Sequence, residues 1–313
     1  MPASTSHHLH ATLLPDGDGP IDLWIAGGRL TFTPQEDAGT LAPSGGFLLP
    51  GLVDCHAHLT LDTGRSGLSL GSAELVEANR RAQLAAGVLL LRDIGAASAA
   101  TLALSPGDGL PPVQPAGGFL APEGRYFPFG QFVESSGVAE AAVAQLAAGA
   151  RWVKIIADFG HLQPDGSIRG PSGPTYDADV LAQTVTAVHR AGGRVAVHAM
   201  GREAIAMSIA AGVDSLEHGL AMDEALLQQL VATGSAWTPT LAAVEQMIAA
   251  TPNPAAAARR REQLDNLQAL LSRAVQMGVL VLAGTDTLPH GAIVEEIAAL
   301  QRRGLTPRQA LAA

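Results

Sequence analysis

Lysine is almost missing from this chain. Eighteen of its 19 basic residues are arginine, and the only lysine is Lys154. A bias toward arginine and alanine fits a GC-rich genome, so a position that keeps an amine against it is informative. An amine can lose its proton and react, whereas a guanidinium stays protonated. Cysteine is equally scarce. Cys55 stands alone, which excludes an internal disulfide and leads to the expectation of a reducing, cytoplasmic setting. Positive charge is in deficit, with a net charge of -10 from 19 basic and 29 acidic residues. Nucleic acid is therefore not expected as a main partner, because phosphate binding needs a clustered basic face. The one dense basic run, Arg259, Arg260 and Arg261, reads as a solvated stretch at a helix start. No apolar run is long enough to span a bilayer. The opening Met1-Pro2-Ala3-Ser4-Thr5-Ser6-His7-His8 lacks the basic and apolar regions of a secretory leader. The expected partner is a small-molecule substrate, with neither membrane nor nucleic acid, and homo-oligomerisation is left open. What is abundant is apolar surface. Hydrophobic residues make up 47% of the 313 positions and charged residues 15%, enough to bury a large core.

The chain changes character near Pro50. Residues 1–49 read as short strands and turns, with a hairpin signal where residues 21–25 and 29–32 flank Ala26-Gly27-Gly28. From Leu52 onward, short apolar runs alternate with Ala/Leu-rich helical stretches. Eight strands are expected, at 52–58, 88–94, 113–119, 152–158, 195–199, 215–217, 236–240 and 279–284. Helical periodicity marks 72–86, 139–148, 177–191 and 259–277, and several helices end in glycine just before the next strand. Eight alternations of strand and helix predict an α/β fold that closes as a TIM (β/α)8 barrel, so residues 50–313 are expected to form it. An open doubly wound sheet is the second choice. Neither a Gly-x-Gly-x-x-Gly nor a Walker motif supports a nucleotide fold. The Pro/Gly-rich stretches 105–115 and 162–174 read as loops.

Catalytic groups of such barrels sit at the C-terminal ends of strands. The first strand ends in Asp54-Cys55-His56-Ala57-His58. Alternate residues of a strand point the same way, so His56 and His58 share a face roughly 7 Å apart and both reach one cation. Cys55 faces the other way as a small buried residue. Strand four carries Lys154, strand five ends with His198, strand six with His218, and strand eight with Asp286. Each alone is ordinary: a lone histidine is usually structural, and Asp286 could cap a helix. Together they place four imidazoles, a carboxylate and the single amine at the ends of five strands. Imidazole and carboxylate suit zinc and its neighbours, with manganese, iron or cobalt as alternatives. A neutral Lys154 amine that captured carbon dioxide would become a carbamate, whose two oxygens can bridge two divalent metal ions. A buried Lys154 paired with Asp158 or Glu217 is the competing reading.

Several stretches resemble the amidohydrolase superfamily: Leu49 to His58, Val153-Lys154-Ile155, Val197-His198-Ala199, Ala211 to Gly219, and Ala283-Gly284-Thr285-Asp286. The similarity runs over almost the whole chain. It lies nearest the prolidase-like, Xaa-Pro and Xaa-Arg dipeptidase and ochratoxin-amidase-like branch. The resemblance implies a metal-dependent amidohydrolase that cleaves an amide or peptide bond of a dipeptide or N-acyl amino acid. It implies one metal on His56, His58 and Asp286, a second on His198 and His218, and carboxylated Lys154 and a hydroxide between them. Asp286 would act as general base and then general acid. Glu217 is a candidate partner of the ligands. Weaker candidates for substrate contact are Tyr126, in an aromatic loop with Phe127 and Phe129, His161, and Arg92. The competing and preferred readings are core or loop packing for Tyr126, a solvent-exposed loop position for His161 and a structural contact with a neighbouring aspartate for Arg92. The resemblance also implies that residues 1–49 are part of a small β-sandwich, left incomplete because the family's C-terminal strands are absent. Asp158-Phe159-Gly160-His161 departs from the family's Gly-rich version. Three alternatives stand beside this reading. One is a one-metal imidazolonepropionase-like ring hydrolase or deaminase, although Gly201 occupies the position where deaminases carry a glutamate. Another is a non-catalytic, metal-stabilised binding protein, and the third is an esterase or lactonase.

Overall fold

A computed structural model describes residues 6–41, 45–64, 67–104, 107 and 109–313. The first five residues of the leader reading, and residues 105, 106 and 108 of the first loop reading, lie outside these. The chain forms two compact units, one running to Gly51 and including Ala312, the other Leu52–Leu311 with Ala313.

The first unit is a five-stranded sheet. Its strands are β1 (His7–Leu13), β2 (Pro20–Ala26), β3 (Arg29–Thr31), β4 (Gly39–Thr40) and β5 (Gly46–Leu48). The order is β3-β2-β1-β4, with β5 also pairing to β1. The expected hairpin is present as β2 and β3, antiparallel with Ala26 opposite Arg29. Gly27 and Gly28 turn it at φ 57° and 75°, left-handed values that a two-residue hairpin turn requires at both positions.

The second unit begins with β6 (Leu52–Ala57), a hairpin of β7 (Leu61–Gly64) and β8 (Gly67–Leu70), α1 (Ala73–Ala85) and β9 (Val88–Asp93). β10 (Val113–Pro115), β11 (Phe119–Ala121), β12 (Gln131–Phe132), α2 (Val138–Ala147) and β13 (Trp152–Ile156) follow. Next come β14 (Asp158–Leu162), β15 (Ile168–Pro174), α3 (Ala178–Arg190), β16 (Arg194–Ala199), α4 (Arg202–Ala211) and β17 (Ser215–His218). The order continues with α5 (Glu224–Thr233), β18 (Ala236–Thr238), α6 (Leu241–Ala249), α7 (Pro254–Gln276) and α8 (Ile293–Arg302). The helices form where the 3.6-residue apolar period predicts them. α3, for example, buries Leu181, Thr184, Val185 and Val188 on one stripe. Ser72 caps α1 by accepting from Leu75 N, and Gly212 ends α4 in the left-handed conformation.

The barrel strands pair in parallel within two sheets, which an isolated parallel bridge between Ala96 and Gly118 links. β6 pairs with β9 and β9 with β10. β11, β13, β16, β17 and β18 continue in that order. The eighth position is not a full strand. Val281 makes one bridge to Trp237, and Leu282 N donates to Trp237 O at 2.9 Å. On its other side, Cys55 N donates to Ala283 O at 2.9 Å, which joins the last segment to the first. The third strand, expected as one run, is split into β10 and β11. Pro115 has no N–H to extend the ladder, and Gly117 turns the chain at φ 71°. The stretch 162–174, expected as a loop, is mostly the antiparallel strand β15 paired to β14. The core between ring and helices is aliphatic: Leu91, Val153, Ile155, Val195, Val197 and Leu216 are fully buried. Among the described residues, no helix is long and apolar enough to cross a membrane. All strands of the ring open their C-terminal ends to one mouth, the place where barrels of this class assemble polar side chains.

Candidate metal centre

At that mouth, His56, His58 and Asp286 bring one ligand atom each within 4.8 Å of one another. The protonation pattern defines what these atoms can do. His56 Nδ1 lies 2.7 Å from Glu217 Oε2, and His58 Nδ1 lies 2.9 Å from Gly95 O. A carboxylate and a carbonyl can only accept, so both rings donate through Nδ1, and in the neutral ring Nε2 keeps its lone pair. The two Nε2 atoms face each other at 3.2 Å, with Asp286 Oδ1 at 3.6 Å from His56 Nε2 and 3.1 Å from His58 Nε2. Three acceptors therefore converge with no hydrogen to share. A divalent cation fits this donor set, since imidazole nitrogen with carboxylate oxygen is a zinc-type combination.

The remaining candidates line the same cavity, which has a volume of about 330 Å³. Lys154 reaches it from β13 with 1% exposure, and its Nζ is buried without a hydrogen-bond partner. Burial pushes its amine down to about 8. An unpartnered buried amine among these groups is itself a sign of an additional ligand, because an unsatisfied donor is costly. The competing reading, an ion pair of Lys154 with Asp158 or Glu217, is not what the geometry shows: the Asp158 carboxylate accepts from Met200 N and Gly201 N, and Glu217 from Arg92 and His56. The rings of His198 and His218 stand 4.5 Å apart, and that of His218 is 5.2 Å from His56. His218 Nδ1 meets Thr240 Oγ1 at 2.7 Å. These two histidines share the cavity wall but not the tighter three-residue cluster.

Burial sets the electrostatics. It depresses the imidazoles of His56 to about 4 and of His218 to about 3, and that of His198 well below its ordinary value. All three are therefore neutral near pH 7, as metal ligands must be. For Asp286, burial acts upward, but the surrounding imidazoles of His56, His58 and His218 outweigh it and hold the carboxyl below the usual carboxylate range. The local backbone is unusual too. His218, Thr240 and Asp286 take left-handed φ values of 68°, 47° and 49°, a conformation that non-glycine residues adopt at a cost and that clusters at functional sites.

A supporting layer lies behind the ligands. Arg92 is buried and donates to Glu217 Oε1 at 2.9 Å, to Thr238 Oγ1 at 3.0 Å and to Cys55 O. It does not line the cavity. The expectation that Arg92 touches substrate is thus corrected: its guanidinium is held by a carboxylate behind His56. The partner is Glu217, not a neighbouring aspartate. Burial would raise the Glu217 carboxyl, but Arg92 and the His56 hydrogen bond hold it well below the usual carboxylate range. His161 agrees with the exposed reading and not with substrate contact. It is an exposed residue of the β14–β15 hairpin, opposite Arg169, and does not line the cavity. Tyr126 does line it. Sequence reasoning missed Asp54, which accepts from Thr285 N at 3.0 Å and Thr285 Oγ1 at 2.7 Å and so fixes the segment that carries Asp286. Its signal was present, because Asp54 alternates with His56 and His58 on one face. Phe159 was missed as a wall of the cavity, and nothing short of the β14–β15 pairing would reveal it.

Fold and site together define an α/β barrel that gathers a His-His-Asp cluster at the mouth formed by its strand ends. The sequence profile described as the Amidohydrolase family matches residues 47–313, and the chain belongs to that family. It is accordingly a hydrolase acting on carbon–nitrogen bonds, and divalent metals are general in the family. An uncharacterized protein of Mycobacterium tuberculosis is 36% identical over 98% of this chain and 82% of its own length. Ochratoxinase of Aspergillus niger is 27% identical, covering 85% of this chain and 63% of its own. Among solved structures, a Xaa-Pro dipeptidase with bound methionine in its active site superposes with a TM-score of 0.80. That match has 21% identity and covers 99% of this chain and 86% of the other, a likeness of fold. These similarities fall in the branch that the motifs suggested.

Proposed function

We propose that this protein hydrolyses the amide or peptide bond of a small substrate, of dipeptide or N-acyl amino acid type, at the cavity bounded by His56, His58, Lys154, His198, His218 and Asp286. These six would hold two divalent cations, zinc by default, with Lys154 carried as a carbamate. When bound, the cations supply a Lewis acid that makes water more acidic and polarises a carbonyl. The chain's own residues do the rest. Asp286 stays ionised and carries an oxygen at the mouth of the site, where it can accept a proton from water and return it to the departing nitrogen. The lowered Lys154 amine has a substantial neutral fraction near pH 8, and only that fraction adds to carbon dioxide, releasing one proton. Glu217 holds the His56 tautomer with its lone pair toward the site. Apolar walls limit water.

The observation that carries this reading is the convergence of three lone-pair donors and an unpartnered amine on one cavity. Metal content per chain, measured together with amine release from a panel of dipeptides and N-acyl amino acids, tests it. Two ions and turnover are expected, with both lost in Lys154→Ala. One ion per chain, unaffected by that substitution, would move the assignment to the one-metal ring hydrolases. Metal-loaded protein inert toward the whole panel would refute the proposed reaction.

A further inference from the structure

The chain is poor in aromatic residues, with seven Phe, two Tyr and three Trp among 313. Four of these twelve, Tyr126, Phe127, Phe129 and Phe159, line the one cavity that holds the metal-ligand candidates. They are built as a unit. Tyr126, Phe127 and Phe159 meet edge to face, with ring centroids 5.2, 5.2 and 5.3 Å apart and interplanar angles of 65°, 68° and 71°. Phe129 stacks on Phe127 at 5.7 Å. Phe119 backs the group, 5.1 Å from Tyr126 and 5.0 Å from the His58 ring. The cage also abuts the reactive centre, for Tyr126 and Phe159 each stand 6.4 Å from the His198 ring.

Two further features bear on what the cage receives. It is pinned: Arg125 Nη2 donates to Phe159 O and Gly173 O, both at 2.7 Å, and so ties the segment bearing Tyr126 to the β14–β15 hairpin bearing Phe159. It is also uncharged. Among the described residues lining the cavity, the formally charged groups other than histidine are Lys154 and Asp286, and both belong to the ligand set. Among those same residues, no guanidinium and no further carboxylate faces the space. A free carboxylate or ammonium placed against these rings would be desolvated without a partner. An aromatic ring there gains edge-to-face contacts instead. Phe127, 38% exposed, stands where an entering ring would cover it.

We infer that the substrate presents an uncharged aromatic ring to the Tyr126–Phe127–Phe129–Phe159 cage, adjacent to the scissile amide, and that zwitterionic dipeptides are discriminated against. This rests on the amide-hydrolase reading above and narrows it. The test has a kinetic arm and a binding arm. In the first, metal-loaded protein is assayed on N-acetyl-L-phenylalanine methylamide, its alanine analogue and the zwitterionic dipeptide Phe-Gly. The expected kcat/KM for the first exceeds that for each of the others at least tenfold. Phe127→Ala, chosen because that side chain is partly exposed, should collapse the Phe/Ala ratio below threefold, whereas Tyr126→Phe, which keeps the ring, should preserve it. Thermal melts establish that both variants fold. In the second arm, titration calorimetry compares benzamide, isobutyramide and free phenylalanine, with benzamide expected to bind at least tenfold more tightly than either. Equal binding of benzamide and isobutyramide, or preference for the zwitterion in either arm, overturns the cage assignment. Tight benzamide binding without hydrolysis of any amide would instead sustain the cage and sink the proposed reaction.

Discussion

Replacing Glu217 by glutamine probes how the layer behind the ligands works. One carboxylate does two tasks here: Oε1 pairs with Arg92 at 2.9 Å and Oε2 accepts from His56 Nδ1 at 2.7 Å, with Glu217 fully buried. Glutamine keeps the size and one acceptor oxygen, but it turns an N–H2 toward either the guanidinium or the imidazole. Breaking a buried ion pair from one side costs about 3–5 kcal/mol, because the other charge stays buried and unpaired. The tautomer of His56 is then no longer enforced, and loss of such a partner weakens metal binding about 10–100-fold. At about 1.4 kcal/mol per factor of ten, that is about 1.4–2.8 kcal/mol of binding. Urea denaturation of the metal-free variant reads the first quantity, and competition with a chelating dye reads the second. The double variant Arg92→Met/Glu217→Met separates them. Removing both charges should bring stability back to within about 1–2 kcal/mol of the parent, since apolar replacements of a buried pair are often neutral. Metal affinity should stay low, because His56 Nδ1 has lost its acceptor. If Glu217→Gln binds metal within threefold of the parent, Glu217 does not orient His56 and the layered account of this site is wrong.

Three other outcomes follow from the same geometry. Gly284→Ala would place a Cβ 2.6 Å from His56 Cβ and 2.9 Å from the His56 backbone nitrogen, so something in the first or last barrel segment must shift. A loss of about 1–3 kcal/mol in urea unfolding is expected, with weakened metal binding, whereas a parent-like variant would show that the close approach is not required. Chelation should lower the melting temperature of protein held at a hundredfold excess of free metal over its dissociation constant, since that excess contributes about 2.7 kcal/mol, and an unchanged melt would deny that the cations bind the folded state. Burial raises the Asp93 carboxyl to about 6. A carboxyl raised in the fold favours the protonated native state, so its contribution is complete below pH 4 and disappears as pH climbs through 6. The shift from 3.8 to about 6 corresponds to about 3 kcal/mol. Asp93→Asn should flatten that part of the stability profile, and a slope unchanged between pH 4 and 7 would assign it elsewhere.

Much of this architecture can be read from the chain because it is local. The alternation of short apolar runs with 3.6-periodic segments reflects βα units, and the two-residue period of a strand by itself puts His56 and His58 on one face. The solitary lysine stands out against its arginine background for a chemical reason, the reactivity of an amine. Lys154, His198, His218 and Asp286 are legible because a barrel delivers strand ends to a common mouth. Tertiary structure decides whatever depends on partners far apart in sequence. Arg92 reads as a structural partner of a nearby aspartate or as a substrate contact until Glu217, 125 positions away, is found holding it. The stretch from 162 to 174 reads as a loop because its glycines and prolines mask a strand whose register comes only from β14. The aromatic cage joins Phe159 to a segment more than thirty residues earlier through Arg125, and no periodicity records that contact. Local pattern sets which face a side chain takes along its own element. Which neighbour it meets there is settled by ring closure and packing, where the energies of contact across the fold, and not the order of residues, make the choice.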